Sequence, residues 1–260
     1  METIATKKVD AAELEQKVKK MYSDVALEPK GEYHFEMGRG LAEKLGYEKA
    51  HLDSIPSASI ESFAGVGYFC DIANFKEGEK VLDLGSGSGM DTFIVALKVG
   101  KTGSVTGIDM TDEQLEKSDR LRKENSFDNV SFQKSYIETL PFANASFDVV
   151  ISNGVINLCT DKAKVFEEVA RVLKPKGRMV IADIVTERQL PENVVCNSTL
   201  WAACIGGAAQ QDDYSSAIRH AGMEVLYVRA NDNYGFISKS ARGASKEFGV
   251  KSVSILAEKK

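Results

Sequence analysis

A run of strand-forming residues, Val81-Leu82-Asp83-Leu84, passes directly into Gly85-Ser86-Gly87-Ser88-Gly89, with three glycines at alternate positions. From Met90-Asp91 onward, Thr92, Phe93, Val95, Ala96 and Val99 recur mainly on one side of a helix. Strand, glycine turn and helix open a βαβ unit, which commits the chain to an α/β sheet built from such units. Glycines remove Cβ atoms where a ligand must approach backbone, and the unpaired N–H groups of the new helix face that ligand. A dinucleotide turn reads Gly-x-Gly-x-x-Gly. This one reads Asp-x-Gly-x-Gly-x-Gly from Asp83 to Gly89, and an acid at the strand end suits an ammonium group better than phosphates. A second strand, Ser104 to Asp109, also ends in an acid, 109 − 85 = 24 residues after Gly85. That is near the roughly 20 expected for a carboxylate that grips ribose hydroxyls. A nucleoside with an amino-acid tail fits both acids.

Composition narrows the class further. With 260 residues, the chain is long enough for one decorated α/β domain. The net charge of −5 comes from interspersed acids and bases, so no basic field favours nucleic acid or an anionic membrane. No apolar run reaches the ~18 residues of a membrane span, and the charged N-terminus lacks the apolar core of a signal peptide. Cys70, Cys159, Cys196 and Cys204 are too sparse for a disulfide scaffold, which points to reduced thiols and a cytoplasmic location. No Cys-x-x-Cys or His/Cys spacing suits a metal.

Along the chain, Asp10 with Glu13 is expected to cap a helix running to about Asp24, with Leu14, Val18, Met21 and Tyr22 on one face. A mixed segment from Pro29 to Pro56 follows, with a short helix around Leu41–Leu45. Residues 1–60 therefore read as a helical appendage or lid, and 61–260 as the main domain. A helix starting near Val66 and running to about Phe75 precedes the first strand. Thr111 and Gln114 suggest a capping box for a helix to about Asn125. Strands are expected at 130–133, 147–153 and 179–185, with Asn153 at the carboxyl end of the second of these. A helix with a Val165, Phe166, Val169, Val172, Leu173 stripe is expected to stop at Lys174-Pro175-Lys176-Gly177. Helices are expected at 193–205 and 212–220, and final strands at 224–229 and 252–258. Residues 231–250 read as a long loop, and the absence of an intervening helix argues an antiparallel edge. The fold class is a Rossmann-like seven-stranded sheet, mostly parallel, with helices on both faces.

The glycine turn and the two acids resemble the S-adenosylmethionine site of the seven-stranded class I methyltransferases. More specific blocks resemble the arsenite methyltransferase family: Ala42-Glu43-Lys44-Leu45-Gly46-Tyr47, Gly107-Ile108-Asp109-Met110-Thr111, Ile137-Glu138-x-Leu140-Pro141, Ser152-Asn153-x-Val155-Ile156-Asn157-Leu158 and Cys204-Ile205-Gly206-Gly207-Ala208. The resemblance implies that Asp83, Gly85, Ser86, Gly87, Gly89, Asp91 and Asn153 hold the methionine tail of S-adenosylmethionine. Asp109 would take the ribose, and Met110, Ile137 and Glu138 the adenine. It also implies cysteine thiolates for arsenic(III), a soft centre that selects sulfur. Here the first two thiolate positions carry Val66 and Gly154, and only Cys204 matches. Cys70 and Cys159 lie four and five residues beyond the vacant positions, so Cys70, Cys159 and Cys204 form a candidate displaced thiol set. Trp201 and Cys204 are expected to face the substrate, with Cys204 and Asn153 as candidate catalytic residues. The competing reading of the stray cysteines is small buried hydrophobes.

Three functions stay open. The first is methyl transfer to arsenic(III) or a related soft or thiol acceptor. The second is transfer to a small organic acceptor, such as a quinone- or sterol-like carbon. The third is cofactor binding without catalysis. No general base is evident, which favours an acceptor whose lone pair is already available.

Overall fold

A computed structural model of the protein describes residues 9–197, 200–201 and 205–260. Strands β1 (Lys80–Leu84), β2 (Ser104–Asp109), β3 (Val130–Lys134), β4 (Phe147–Asn153), β5 (Leu173–Thr186), β6 (Ala209–Gln210), β7 (Met223–Ala230) and β8 (Lys251–Lys259) form one sheet. Its order is β3-β2-β1-β4-β5-β8-β7, with the two-residue β6 paired to the end of β5. β1 to β5 run parallel, while β8 lies antiparallel to both β5 and β7. The seven expected strands are all present, and β6 is an addition.

The central strands β1, β4 and β5 are mostly apolar and buried because both faces are covered, whereas the outer β3 and β7 are largely exposed. Side chains alternate across the sheet. Val81, Val149, Ile151, Val180, Ala182 and Ile184 therefore enter one core with Phe93 and Ile94 of α6 (Met90–Val99). Leu82, Leu84, Val150, Ile181 and Val185 enter the other, with Phe166 and Val169 of α8 (Lys162–Val172). Tyr214 and Ile218 of α10 (Gln211–His220) complete that second core. The same parity places Asp83 on the face of Val81, toward α6.

Ahead of the sheet lie α1 (Ala11–Leu27), α2 (Gly38–Leu45), α3 (Lys49–Asp53), α4 (Ser57–Glu61) and the single turn α5 (Cys70–Ala73). Asp10 caps α1 by accepting from the Ala12 and Glu13 amides. α1 packs across α7 (Asp112–Glu124): Gln114 donates to the Tyr22 carbonyl at 2.8 Å, and Lys117 to the Ala26 carbonyl at 3.0 Å. No helix among the described residues is long and apolar enough to cross a membrane.

Local readings needed correction in four places. Thr111 stands at the start of α7 but makes no side-chain cap, and the Gln114 side chain bonds the Tyr22 carbonyl and the Ser88 hydroxyl instead of closing a capping box. No helix starts near Val66; the chain is irregular there until α5. The helix before Lys174–Gly177 stops as expected, at Val172, and that stretch forms a bulge inside β5, with Lys176 at φ +62° beside the register shift. The expected loop at 231–250 contains α11 (Lys239–Phe248), capped by Ser238 and closed by Gly249 at φ +67°. Its apolar stripe was too thin to see, since Ala241 is its single buried residue. β7 and β8 are nevertheless antiparallel, helix or not. The helix expected over 193–205 is represented by α9 (Glu192–Val195) and by Leu200-Trp201; Ser198, Thr199 and Ala202 to Cys204 lie outside the described residues.

Candidate functional site

β1 and β4 are neighbours at the point where the strand order reverses, and open parallel sheets bind ligands beyond the carboxyl ends of strands at such a point. The glycine turn follows β1 there. Gly85 has φ +68°, and a Cβ on it would lie 2.5 Å from Val155 Cγ2, so both backbone shape and packing demand glycine. Gly87 has φ +52°, a Cβ on it would make only an ordinary 3.7 Å contact with Gln114 Oε1, and its amide donates to Asp109 Oδ2 at 2.9 Å. The Ser86 amide donates to the Ile108 carbonyl at 2.9 Å, which ties the turn to the end of β2.

Three carboxylates surround this turn. Asp83, at the end of β1, accepts from Thr92 Oγ1 at 2.6 Å. Burial, then the nearby Asp91 charge, pushes its pKa up to about 8. Asp91, in the first turn of α6, accepts from Tyr47 Oη at 2.6 Å and from Asn153 Nδ2 at 2.9 Å; burial still raises it to about 6. Asp109 accepts from the Gly87 and Thr111 amides and is also raised by burial. Such acids await a cation, because a positive group arriving beside them recovers the cost of burying the charge.

Asn153 is the hub of the site. Its Oδ1 accepts from the Val66 amide at 2.8 Å and the Gly67 amide at 3.3 Å. Its Nδ2 donates to Asp91, to the Gly67 carbonyl at 3.0 Å and to Tyr47 Oη at 3.2 Å. One side chain thus fastens the 65–67 turn to the start of α6. Tyr47 belongs to the Ala42–Tyr47 block but has no role legible in it; its hydroxyl meets Asp91 and Asn153, 44 and 106 residues away, which no local pattern reveals.

A cleft of about 230 Å³ is lined by, among others, Asp83, Gly85, Ser86, Gly87, Asp91, Asp109, Met110, Ile137, Glu138 and Asn153. Gly89 begins α6 behind the turn with φ +91°. Leu14, Val18 and Tyr22 of α1 close one side, so the apolar face read as packing on something packs over the cleft. Phe63, Val155, Leu158, Cys159 and Thr160 form the remaining wall. Cys159 is half-buried, and burial followed by the Glu138 carboxylate raises its thiol well above the ordinary value.

Of the other substrate candidates, Val66, Cys70, Gly154 and Trp201 are not in this lining. Val66 is buried, and a Cβ on Gly154 (φ +76°) would lie 3.2 Å from Val66 Cγ1, so positions 66 and 154 face each other. Cys70 is buried in α5, away from the cleft lining, and burial raises its thiol strongly. Trp201 is buried, with Lys162 Nζ 4.9 Å from its ring centroid. Cys204 lies outside the described residues.

Comparison with known proteins completes the site. The methyltransferase-domain family matches residues 75–222. An arsenite methyltransferase of Halobacterium salinarum is 38% identical over 195 residues, covering 74% of this chain and 49% of that protein. The ubiquinone/menaquinone biosynthesis C-methyltransferase UbiE of Haemophilus ducreyi is 39% identical over 115 residues, 44% of each chain. The crystal structure of CrArsM, an arsenic(III) S-adenosylmethionine methyltransferase from Chlamydomonas reinhardtii, is similar with a TM-score of 0.69 and 35% identity. That match covers 81% of this chain and 72% of the other. The chain spans about half the length, or less, of the arsenite methyltransferases it matches.

Proposed function

This chain belongs to the arsenite methyltransferase family, and on that premise we propose that it transfers a methyl group from S-adenosylmethionine to a small acceptor held in the cleft beside Cys159. Bound there, S-adenosylmethionine supplies a methyl group activated by its sulfonium. Asp83 and the bare Gly85–Gly89 backbone hold the methionine tail, Asp109 the ribose, and Met110, Ile137 and Glu138 the adenine. The chain's own contribution is orientation and exclusion of water. Residues 1–60 act as the lid, through α1, and 61–260 as the transferase domain. The observation that carries this reading is the convergence of two buried carboxylates, Asp83 and Asp91, with the partly buried Asp109 and a side-chain-free turn on one cleft.

Among the described residues no histidine lines the cleft, and its acids are assigned to the cofactor, so this reading favours an acceptor whose lone pair is already available. Two of the three family thiolate positions hold Val66 and Gly154, which favours a small organic or thiol acceptor over a thiolate-bound arsenic(III). A second reading keeps arsenic(III), because Cys159 puts one thiol into the cleft. Calorimetry with S-adenosylhomocysteine, then labelled methyl transfer to arsenite, thiols and quinones, tests both. Failure to bind the nucleoside ends the proposal, and binding without transfer to any acceptor would make the protein a non-catalytic cofactor binder. Arsenite protection of Cys159 from alkylation would favour the second reading.

A further inference from the structure

The charge of the cleft restricts its second ligand. Its described lining carries five carboxylates, Glu15, Asp83, Asp91, Asp109 and Glu138, and no lysine, arginine or histidine. The nearest ammonium groups are turned to other partners. Lys19 donates to Glu15 at 2.6 Å and to Tyr136 Oη at 2.6 Å. Lys117 donates to the Ala26 carbonyl and Ser62 Oγ, and Lys162 to the Asn157 and Cys159 carbonyls. None of the three is among the residues lining the cleft. Asp83, pushed up to about 8, is mostly protonated near neutral pH and Lys19 offsets Glu15, so the negative charge rests on Asp91, Asp109 and Glu138. The cofactor, with two positive centres and one carboxylate, offsets one of these and leaves the cleft acidic. A low-dielectric cleft lined by one sign of charge concentrates the opposite ion and repels its own.

We propose that the methyl acceptor is a neutral or cationic molecule, and that anions such as carboxylates and phosphate esters are excluded from its place beside Leu158, Cys159 and Thr160. This rests on the methyltransferase reading for the word acceptor, but the charge selectivity belongs to the cleft itself and is measurable without turnover. An anion would need a buried cation or a set of free N–H donors to replace its hydration. The acceptor wall offers a thiol, a hydroxyl, aliphatic groups and the Glu138 carboxylate instead, and the Lys162 ammonium behind it is already committed to the Asn157 and Cys159 carbonyls. Those groups suit an uncharged soft nucleophile or an amine.

Cys159 is a reporter already in place. The full-length protein is treated with methanethiosulfonates carrying a cationic, a neutral or an anionic group, and modification of Cys159 is followed by peptide mass mapping. Each rate is divided by that for a free thiol in solution. The cationic reagent is expected to exceed the anionic one by on the order of tenfold or more, with the ratio shrinking in Glu138→Gln and at high salt. Equal normalised rates, or a faster anionic reagent, overturn the proposal. Should the buried Cys159 thiol react too slowly, Thr160→Cys places an exposed thiol on the same wall and reads the same ratio. Calorimetry with S-adenosylhomocysteine is run on the same sample: selectivity without nucleoside binding keeps the acidic cleft and removes the methyltransferase reading, whereas binding without selectivity does the reverse.

Discussion

Asp83 and Asp91 share a buried space with too few donors to be fully charged without a ligand. Their pKa values, about 8 and about 6, stand above those of an unfolded chain, so the folded state holds extra protons. Stability therefore falls as pH rises through those values. On the acid side the opposite applies. Arg171 holds Glu168 below its ordinary 4.5, and Lys123 lowers Asp119, so their contributions vanish on acidification. The raised values place that fall between the unfolded carboxyl range, about 4, and about 8, so the ligand-free protein is expected to melt highest near about pH 4 to 4.5 and to lose stability steadily above it. Thermal scans from pH 4 to 9 check this, and a melting temperature that climbs between pH 6 and 8 would contradict it. The cofactor's ammonium favours charged Asp83, so its affinity should rise over the same interval, and Asp83→Asn should abolish that rise. Both acids were legible as candidates in the sequence. Their coupling through Tyr47 and Asn153 was not, because those partners come from positions 44 and 62 residues from Asp91.

At the scale of elements, two turns carry the site. In the glycine turn, Gly85 and Gly87 look equivalent in sequence but differ in surroundings. Gly85→Ala meets both a left-handed backbone and Val155, and should cost about 3 kcal/mol. Gly87→Ala meets the backbone penalty alone, about 1 kcal/mol. Urea unfolding of the two variants separates them, and equal losses would show that packing at Val155 does not matter. The second turn, after β4, is held from beneath. Asp183 accepts from the Asn157 amide at 2.9 Å, Asn157 Nδ2 at 2.6 Å and Tyr214 Oη at 2.7 Å. That buried carboxylate sets the short helix Ile156–Leu158, and through it the Leu158-Cys159-Thr160 wall. Tyr214→Phe removes one donor at a cost of about 1 kcal/mol. It should also speed alkylation of Cys159 while changing S-adenosylhomocysteine affinity little. Unchanged alkylation would mean that the turn is held elsewhere. Nothing local in the sequence signals this support, since Asp183 and Tyr214 are ordinary members of a strand and a helix.

Across the whole molecule, the fold brings Val66 and Gly154, 154 − 66 = 88 residues apart, into contact. Restoring thiols at both positions, Val66→Cys with Gly154→Cys, should create an arsenite-dependent rise in melting temperature that the parent lacks. The left-handed φ at 154 makes the double variant about 1–2 kcal/mol less stable without arsenite. A parent protein that already gains the same stabilisation from arsenite would show that other thiols suffice.

The apolar strand runs and the acid-flanked glycine turn were enough to determine the doubly covered parallel sheet and the place where a nucleoside with an amino-acid tail fits. That information is local: periodicity and missing Cβ atoms act within a few residues. Only the tertiary structure decided that α1 roofs the cleft, that Asn153 fastens the 65–67 turn to α6, and that Cys159 enters the lining while Cys70 does not. These outcomes depend on which distant surfaces bury one another, and burial is a property of the assembled layers that no short stretch of sequence carries.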